Sequence, residues 1–303
     1  MEHVKFHRKS HCLRKSRLLF LLPSLIGVFV FVLIPFGDMV RRSFQTAVQG
    51  KFCGLENYKM VLSNNAFSLA VKNTAKFVGV GIPLLILISL ILSMALRNSK
   101  WAQPLKSGFL FPMAVPTAAL VLIWKLFFHG NGIFNTALED MGMKGIDWLG
   151  SSAAFWVLII SYIWKNTGYT IVLWLAGIKN ISLELIEAAK VDGASGMQCF
   201  RYITLPSLKP TFYTIAILSF LNSFKVFREA YLVAGAYPQK TMYLLQHLFN
   251  NWFTNLEIDK MSAAAVLVAI VFALAVMALG RFLNEEELNE KKGYRKKFFK
   301  KRK

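Results

Sequence analysis

Apolar residues in this 303-residue chain are gathered into long blocks separated by polar stretches. The first block runs from Leu18 to Phe36, and the second, Phe77 to Leu96, is 20 residues without a charge. The third, about Ser107 to Phe128, contains Pro112 and Pro116 and carries Lys125 near its far end. The fourth, about Ala153 to Ile178, is interrupted by Lys165 and Asn166; the fifth, about Thr211 to Phe224, is short and holds Ser219, Asn222 and Ser223. The sixth runs from Met261 to about Leu283, with Ala263, Ala264 and Ala265 small enough for close helix approach. About 20 apolar residues in a helix cross ~30 Å of hydrocarbon. The pattern predicts an all-α, polytopic membrane protein with six transmembrane helices.

Composition agrees. Hydrophobic residues make up 55% of the chain and charged residues only 17%, where a soluble domain carries about a quarter charged. The net charge of +20 raises the question of nucleic acid, and the position of the charges answers it. Six basic residues lie within 1–17 and ten within 281–303, each set flanking an apolar block, which suits anionic headgroups rather than nucleic acid. Six spans put both termini on one side, and 23 Lys and Arg fall on that side against 11 on the other. This excess places both termini in the cytoplasm, although the first outer loop, with six basic residues, runs against it. No small-residue cleavage site follows the first block, where Pro35, Asp38, Arg41 and Arg42 stand instead, so it reads as an uncleaved span.

Cys12, Cys53 and Cys199 are scattered, and no His stands at ligand spacing, which argues against a disulfide framework or a metal site. The chain has no phosphate-binding Gly-x-x-x-x-Gly-Lys, no His-Glu-x-x-His and no Gly-x-Ser-x-Gly. No catalytic residue is assigned. The organisation expected is a basic tail at 1–17, a first span at 18–36, an extracytoplasmic loop at 37–70, a five-span body at 71–283 and a charged tail at 284–303. That last tail reads as frayed and held at the membrane surface.

The most patterned polar stretch is the cytoplasmic segment 180–210 between the fourth and fifth blocks. Ser182 can N-cap a helix from Leu183, with Glu184 at its positive end and Leu183, Ile186 and Ala189 forming an apolar stripe. Asp192-Gly193 then breaks it. Ser195-Gly196-Met197-Gln198 fits a capping box for a second helix with Met197, Phe200 and Ile203 on its apolar face. Leu205-Pro206 is expected to end that helix. Such a helix–turn–helix, tied at each end to a span, can pass a push from a soluble partner into both.

Glu187-Ala188-Ala189, then Gly193, then Ile203-x-Leu205-Pro206 resembles the EAA loop of permease subunits of binding-protein-dependent ABC importers. The string from Glu187 to Ser195 is similar to the maltose and oligosaccharide branch. Gly54-Leu55-Glu56-Asn57-Tyr58, Asn73-Thr74, Trp148-Leu149-Gly150 and Leu175-Ala176-Gly177-Ile178 follow that branch in order. The resemblance implies the type I ABC importer permease fold, with residues 71–283 as transmembrane domain and 180–210 supplying cytoplasmic coupling helices. It implies that Glu187, Ala188, Ala189, Asp192, Gly193 and Ala194 meet a separate ATP-binding subunit, with Leu205 and Pro206 leading back into the fifth span. It further implies a second permease subunit, giving a heterodimer, an extracytoplasmic solute-binding protein, and a place in the cell (plasma or inner) membrane. The chain itself would hold no cofactor, ATP being bound by its partner, and would hydrolyse nothing.

Lys165 and Asn166, near mid-bilayer, line a solute pathway or make a structural polar contact. Asn222 and Ser223 bond sugar hydroxyls or neighbouring helices. Trp156 and Trp164 read as interfacial rather than sugar-stacking, and Lys125 as snorkelling. A sugar is favoured over glycerol phosphate or another non-sugar solute, since a phosphate-bearing solute would favour Arg or Lys in the pathway and only Lys165 is available in mid-span. An ion-coupled carrier is disfavoured because the six blocks contain no carboxylate.

Overall fold

The computed structural model describes the backbone of residues 21–97 and 99–300, and the side chains there other than those of residues 279 and 282–300. The basic segment 1–17, the start of the first apolar block and the last three residues lie outside the described residues. The described chain is helical, with one isolated antiparallel bridge between Gln45 and Phe52. In order, the helices are α1 (Leu21–Arg42), α2 (Glu56–Leu62), α3 (Asn65–Leu96), α4 (Ala102–Ala114), α5 (Thr117–Phe128), α6 (Ile133–Asp140) and α7 (Ala154–Lys179). They continue as α8 (Leu183–Val191), α9 (196–207), α10 (Lys209–Ser223), α11 (Val226–Ala234), α12 (Leu245–Thr254) and α13 (Ile258–Lys300).

Four stretches among the described residues are long and apolar enough to cross a membrane: Leu21–Arg42, Asn65–Leu96, Thr117–Asp140 and Ile258–Ala278. Two of the six expected spans are absent from that set for physical reasons. α7 has 26 residues, but Lys165, Asn166 and Thr167 lower the hydropathy of its centre. α10 has 15 residues and alone is shorter than the hydrocarbon layer.

The chain divides into two compact units, residues up to 64 with 252–270, and 65–251 with the residues from 271 onward. In the first unit no residue of α1 is buried. Asp38 accepts from Arg41 at 2.8 Å and Arg42 at 2.5 Å. Asn57, 1% exposed, explains the Gly54–Tyr58 string: its Nδ2 donates to Ser43 O (3.0 Å) and Gln45 O (2.9 Å), closing the turn ahead of α2.

In the second unit α7 is the axis, packed against α3, α4, α10 and α11. Two of its glycines permit this. A Cβ on Gly168 would stand 1.9 Å from Phe109 O of α4, and one on Gly177 would stand 2.3 Å from Thr211 Oγ1 of α10. The other short strings also have local roles. Asn73 Nδ2 donates to Lys240 O (2.6 Å) and Tyr243 O (3.0 Å), while Thr74 Oγ1 accepts from Leu245 N–H. Trp148 Nε1 donates to Asn135 Oδ1 at 2.9 Å.

Proline placement accounts for two departures from expectation. The third block is two helices, because Pro116 lacks an N–H and holds Val115 extended (φ −69°, ψ 125°) between α4 and α5. Leu205-Pro206 does not end its helix. A π turn at Phe200–Thr204, closed by Leu205 N–H on Phe200 O, precedes the proline, and the run breaks only after Ser207. The same device, Phe29–Leu33 closed by Ile34 N–H on Phe29 O, precedes Pro35 in α1. The wider turn shifts the carbonyl that a proline ring otherwise meets. Pro210, in the first turn of α10, marks the restart.

Two further boundaries differ. The fifth block does not stop at Phe224, since α11 resumes after a two-residue turn and carries Arg228 and Glu229. The expected frayed tail is a helical continuation of α13 to Lys300, consistent with Glu287 standing four residues before Lys291.

Gly168→Ala is expected to force α4 from α7 and cost about 1–3 kcal/mol, read as a lower unfolding temperature of the purified protein. Gly79→Ala, where a Cβ meets nothing within 4 Å, is expected to leave that temperature unchanged.

Candidate functional site

The polar centre of α7 opens into a cavity of about 140 Å³ lined by Ser161, Tyr162, Lys165, Asn166, Asn222, Lys225 and Glu229, with Met113 and Val226. Four helices build it. Residues 161, 162, 165 and 166 share one face of α7. Asn222, Lys225, Val226 and Glu229 recur at the 0, 3, 4, 7 spacing of a helical stripe across the α10–α11 turn. Met113 comes from the last turn of α4. A second space of about 490 Å³ shares Lys165, Lys225 and Glu229 with the first and adds Thr117, Phe224, Phe227 and Arg228. Met113 and Thr117 flank the extended Val115-Pro116 link, so the interrupted backbone sits where it borders a cavity, the setting in which broken helices are tolerated at membrane depth.

Lys165 Nζ donates to Glu229 Oε1, and the two side chains are 23% and 6% exposed. Each charge offsets the cost of burying the other. Asn166 Nδ2 donates to Tyr162 O (2.8 Å), and Asn222 Nδ2 to Tyr169 Oη (3.1 Å). Tyr162 Oη donates to Ser219 O at 2.6 Å. The structure thus brings together Lys165, Asn166 and Asn222. It does not bring in Ser223, whose Oγ donates to Phe220 O of its own helix and lies outside the lining.

Trp164 lines a separate apolar space of about 680 Å³ with Phe109, Pro112 and Thr167. Trp156 and Lys125 are exposed. Glu229, Lys225 and Arg228 fall outside the blocks that hydropathy defines, because the fifth block closes at Phe224. The signal was the stripe running on from Asn222. Glu229 lies beyond the fifth block as drawn from the sequence, and its partner is Lys165.

At the far end of α7 the chain turns through Asn180 into α8. Ser182 occupies the N-cap without a side-chain hydrogen bond. The turn after α8 is a Schellman motif: Ala194 N–H meets Ala189 O (2.9 Å), Gly193 N–H meets Lys190 O (3.0 Å), and Gly193 takes φ +84°. Ser195 and Gln198 form the expected capping box, Gln198 N–H on Ser195 Oγ (3.3 Å) and Ser195 N–H on Gln198 Oε1 (2.7 Å). No residue of α8 is buried, and Glu187, Ala188, Asp192 and Gly193 are exposed. Of the two expected apolar faces, Leu183 is 68% and Met197 73% exposed while Ile186 is half-buried, and Val191 and Tyr202 are also exposed. Ala189, Ala194, Phe200, Ile203 and Pro206 are half-buried, Leu205 is exposed, and Cys199 and Thr204 turn inward.

Residues 78–286 match the sequence pattern of the family described as binding-protein-dependent transport system inner membrane component. The chain is 31% identical over 274 residues to the trehalose/maltose transport system permease protein MalF of Thermococcus litoralis, covering 87% of this chain and 93% of that protein. It is 29% identical over 281 residues to the lactose transport system permease protein LacF of Rhizobium radiobacter, covering 89% and 93%. Its fold is similar to a chain in the crystal structure of a bacterial ABC transporter that imports the acidic polysaccharide alginate. That superposition has a TM-score of 0.75 at 22% identity and covers 91% of this chain and 98% of the other.

The buried pair predicts strong non-additivity. Lys165→Met or Glu229→Gln alone is expected to cost about 3–5 kcal/mol by stranding a charge, and the double variant much less than their sum, measured by unfolding of the purified protein.

His247, fully buried in α12, accepts Leu244 N–H at Nδ1 (3.2 Å) and packs edge-on against the cavity-lining Phe227, with centroids 4.8 Å apart. Burial lowers its pKa from 6.5 to about 4. The unfolded chain binds the proton more readily between those values. Stability is therefore full above pH ~6.5 and falls by up to about 3 kcal/mol as pH drops toward 4. His247→Phe is expected to flatten that part of the pH profile of thermal unfolding.

Proposed function

This chain belongs to the family of binding-protein-dependent transport system inner membrane components, and from that premise we propose that it is the permease subunit of an ABC importer for a sugar or oligosaccharide. Relatives named for maltose, lactose, starch-degradation and arabino-oligosaccharide transport, aligned over most of the chain, support the solute class. In this reading six segments cross the membrane: α1, α3, α4 with α5, α7, α10 with α11, and α13. Both termini face the cytoplasm. A separate ATP-hydrolysing subunit supplies the energy, a second permease completes the pathway, and an external binding protein delivers the solute. The solved alginate transporter was captured with its periplasmic binding protein, which supports the last of these assignments. This chain carries out no hydrolysis.

The observation that carries the coupling role is a loop whose turn is fully hydrogen-bonded while its helix buries nothing. α8 and α9 are held in shape by the Schellman turn and the capping box, yet leave Leu183 and Val191 of α8 and Met197 of α9 open, with Glu187 and Ala188 exposed as well. An apolar surface rimmed by polar residues, on a rigid element, suits a partner's groove. Ala188 and Ala189 let that partner approach closely. The solute path runs past Lys165, Asn166 and Asn222, whose donors and acceptors can exchange their present bonds for sugar hydroxyls.

Gly193→Pro tests the loop. Proline fixes φ near −65° and cannot take the +84° of Gly193. The variant is expected to reach the membrane at normal abundance, to fail to co-purify with the ATPase subunit, and to reduce binding-protein-dependent uptake to background. Normal assembly and transport by this variant would overturn the assignment. Lys165→Ala, at normal abundance, is expected to impair uptake, and unchanged uptake would remove that residue from the path.

A further inference from the structure

Lys165, the one cation the sequence places in mid-span, has further cations beside it in the fold. The two adjoining spaces are lined by three cations, Lys165, Lys225 and Arg228, against one carboxylate, Glu229. Glu229 is already engaged by Lys165. Lys225 and Arg228 have no ion pair among the described residues, and both side chains are exposed toward the larger space. The first turn of α5 begins at Thr117 on the same wall. Its opening N–H groups follow Pro116, whose carbonyl accepts from Leu120, so the positive end of a 12-residue helix adds to the two cations. Broken helices at membrane depth present such ends to anionic groups of solutes.

From this geometry we infer that the transported saccharide carries an anionic group, and that Lys225 and Arg228 select for it. The inference rests on the pathway proposed above and narrows its solute class. The sugar ring hydroxyls meet Asn166, Asn222 and Ser161. The carboxylate, or a phosphate or sulfate ester, sits in the larger space, where Arg228 offers a planar fork and Lys225 a point charge. The Lys165–Glu229 pair stays neutral between the two. A neutral sugar would leave both cations and the helix end without a counter-charge in a space partly walled by Phe224 and Phe227.

The test compares matched probes on the assembled transporter, purified with its partner permease and ATPase in phosphatidylcholine nanodiscs. Trigalacturonate is compared with its methyl ester, and maltotriose 6-phosphate with maltotriose, each titrated by calorimetry without binding protein. At least one acidic probe is expected to bind roughly tenfold to a hundredfold more tightly than its neutral twin. The preference should shrink with rising salt and in Lys225→Gln and Arg228→Gln. Asn222→Trp, which fills the smaller cavity, should abolish binding. Equal or tighter binding of the neutral twins, or no binding of any acidic probe, would overturn the inference. So would a preference that survives both Gln variants, or stabilisation by phosphatidylglycerol in place of the saccharide. The pathway itself is judged separately by transport through Lys165→Ala. Impaired uptake there, together with a neutral preference here, would leave the pathway standing and remove only the anionic solute.

Discussion

A lysine ammonium and a glutamate carboxylate held together halfway along the most enclosed helix set the terms for the second unit. Neither charge could sit there alone, because several kcal/mol of desolvation would go uncompensated. Pairing Lys165 with Glu229 ties α7 to α11 at one height and so fixes where the α10–α11 turn and the α4–α5 break come together. Once that polar level exists, the irregular backbone at Val115-Pro116 and at Phe224-Lys225 has a place, since both interruptions border the space the pair keeps open. The glycines of α7 serve the same arrangement from its other faces: Gly168 and Gly177 let α4 and α10 close in, leaving the polar face as the one that is not filled.

What the sequence made legible followed the physics each residue carries locally. α7 was placed to within one residue at either end because a 26-residue apolar run with turn signals on both flanks has no competing reading. The Gly193 turn and the Ser195–Gln198 box were legible for the same reason, as both are decided within a few residues. Pro206 misled because a proline's effect depends on the turn before it, and the π turn at Phe200–Thr204 is a cooperative choice with no single-residue signature. Glu229 was hidden by its own charge. A hydropathy reading treats Lys225, Arg228 and Glu229 as the end of an apolar block, whereas Lys165 on α7, 64 residues earlier in the chain, makes Glu229 internal. Long-range pairing of this kind lies beyond periodicity.

The short strings that carried the resemblance divide by role when placed in three dimensions. Asn57, Asn73, Thr74 and Trp148 all saturate backbone or side-chain hydrogen bonds of loops outside the long helices. Gly177 is a packing residue. None of them lines the cavity. The recognisable text of the chain is thus mostly its scaffold, and the residues that line the cavity lie in text that reads as unremarkable.

The exposed loop and the cavity share two helices. α7 enters the loop and α10 leaves it, and the same two helices carry Lys165, Asn166 and Asn222. From Lys165 to Lys179 the helix spans about 21 Å at 1.5 Å per residue, with Gly168 and Gly177 packed too closely on their neighbours for independent bending there. On the proposed function, a displacement applied at Glu187–Gly193 reaches the polar level through α7 and α10, the helices that enter and leave the loop. α11 is tied to α7 by the Lys165–Glu229 pair, so motion of α7 carries to the wall that holds Lys225 and Arg228. On the proposed function, this is how hydrolysis in another subunit opens and closes a site that contains no nucleotide chemistry of its own.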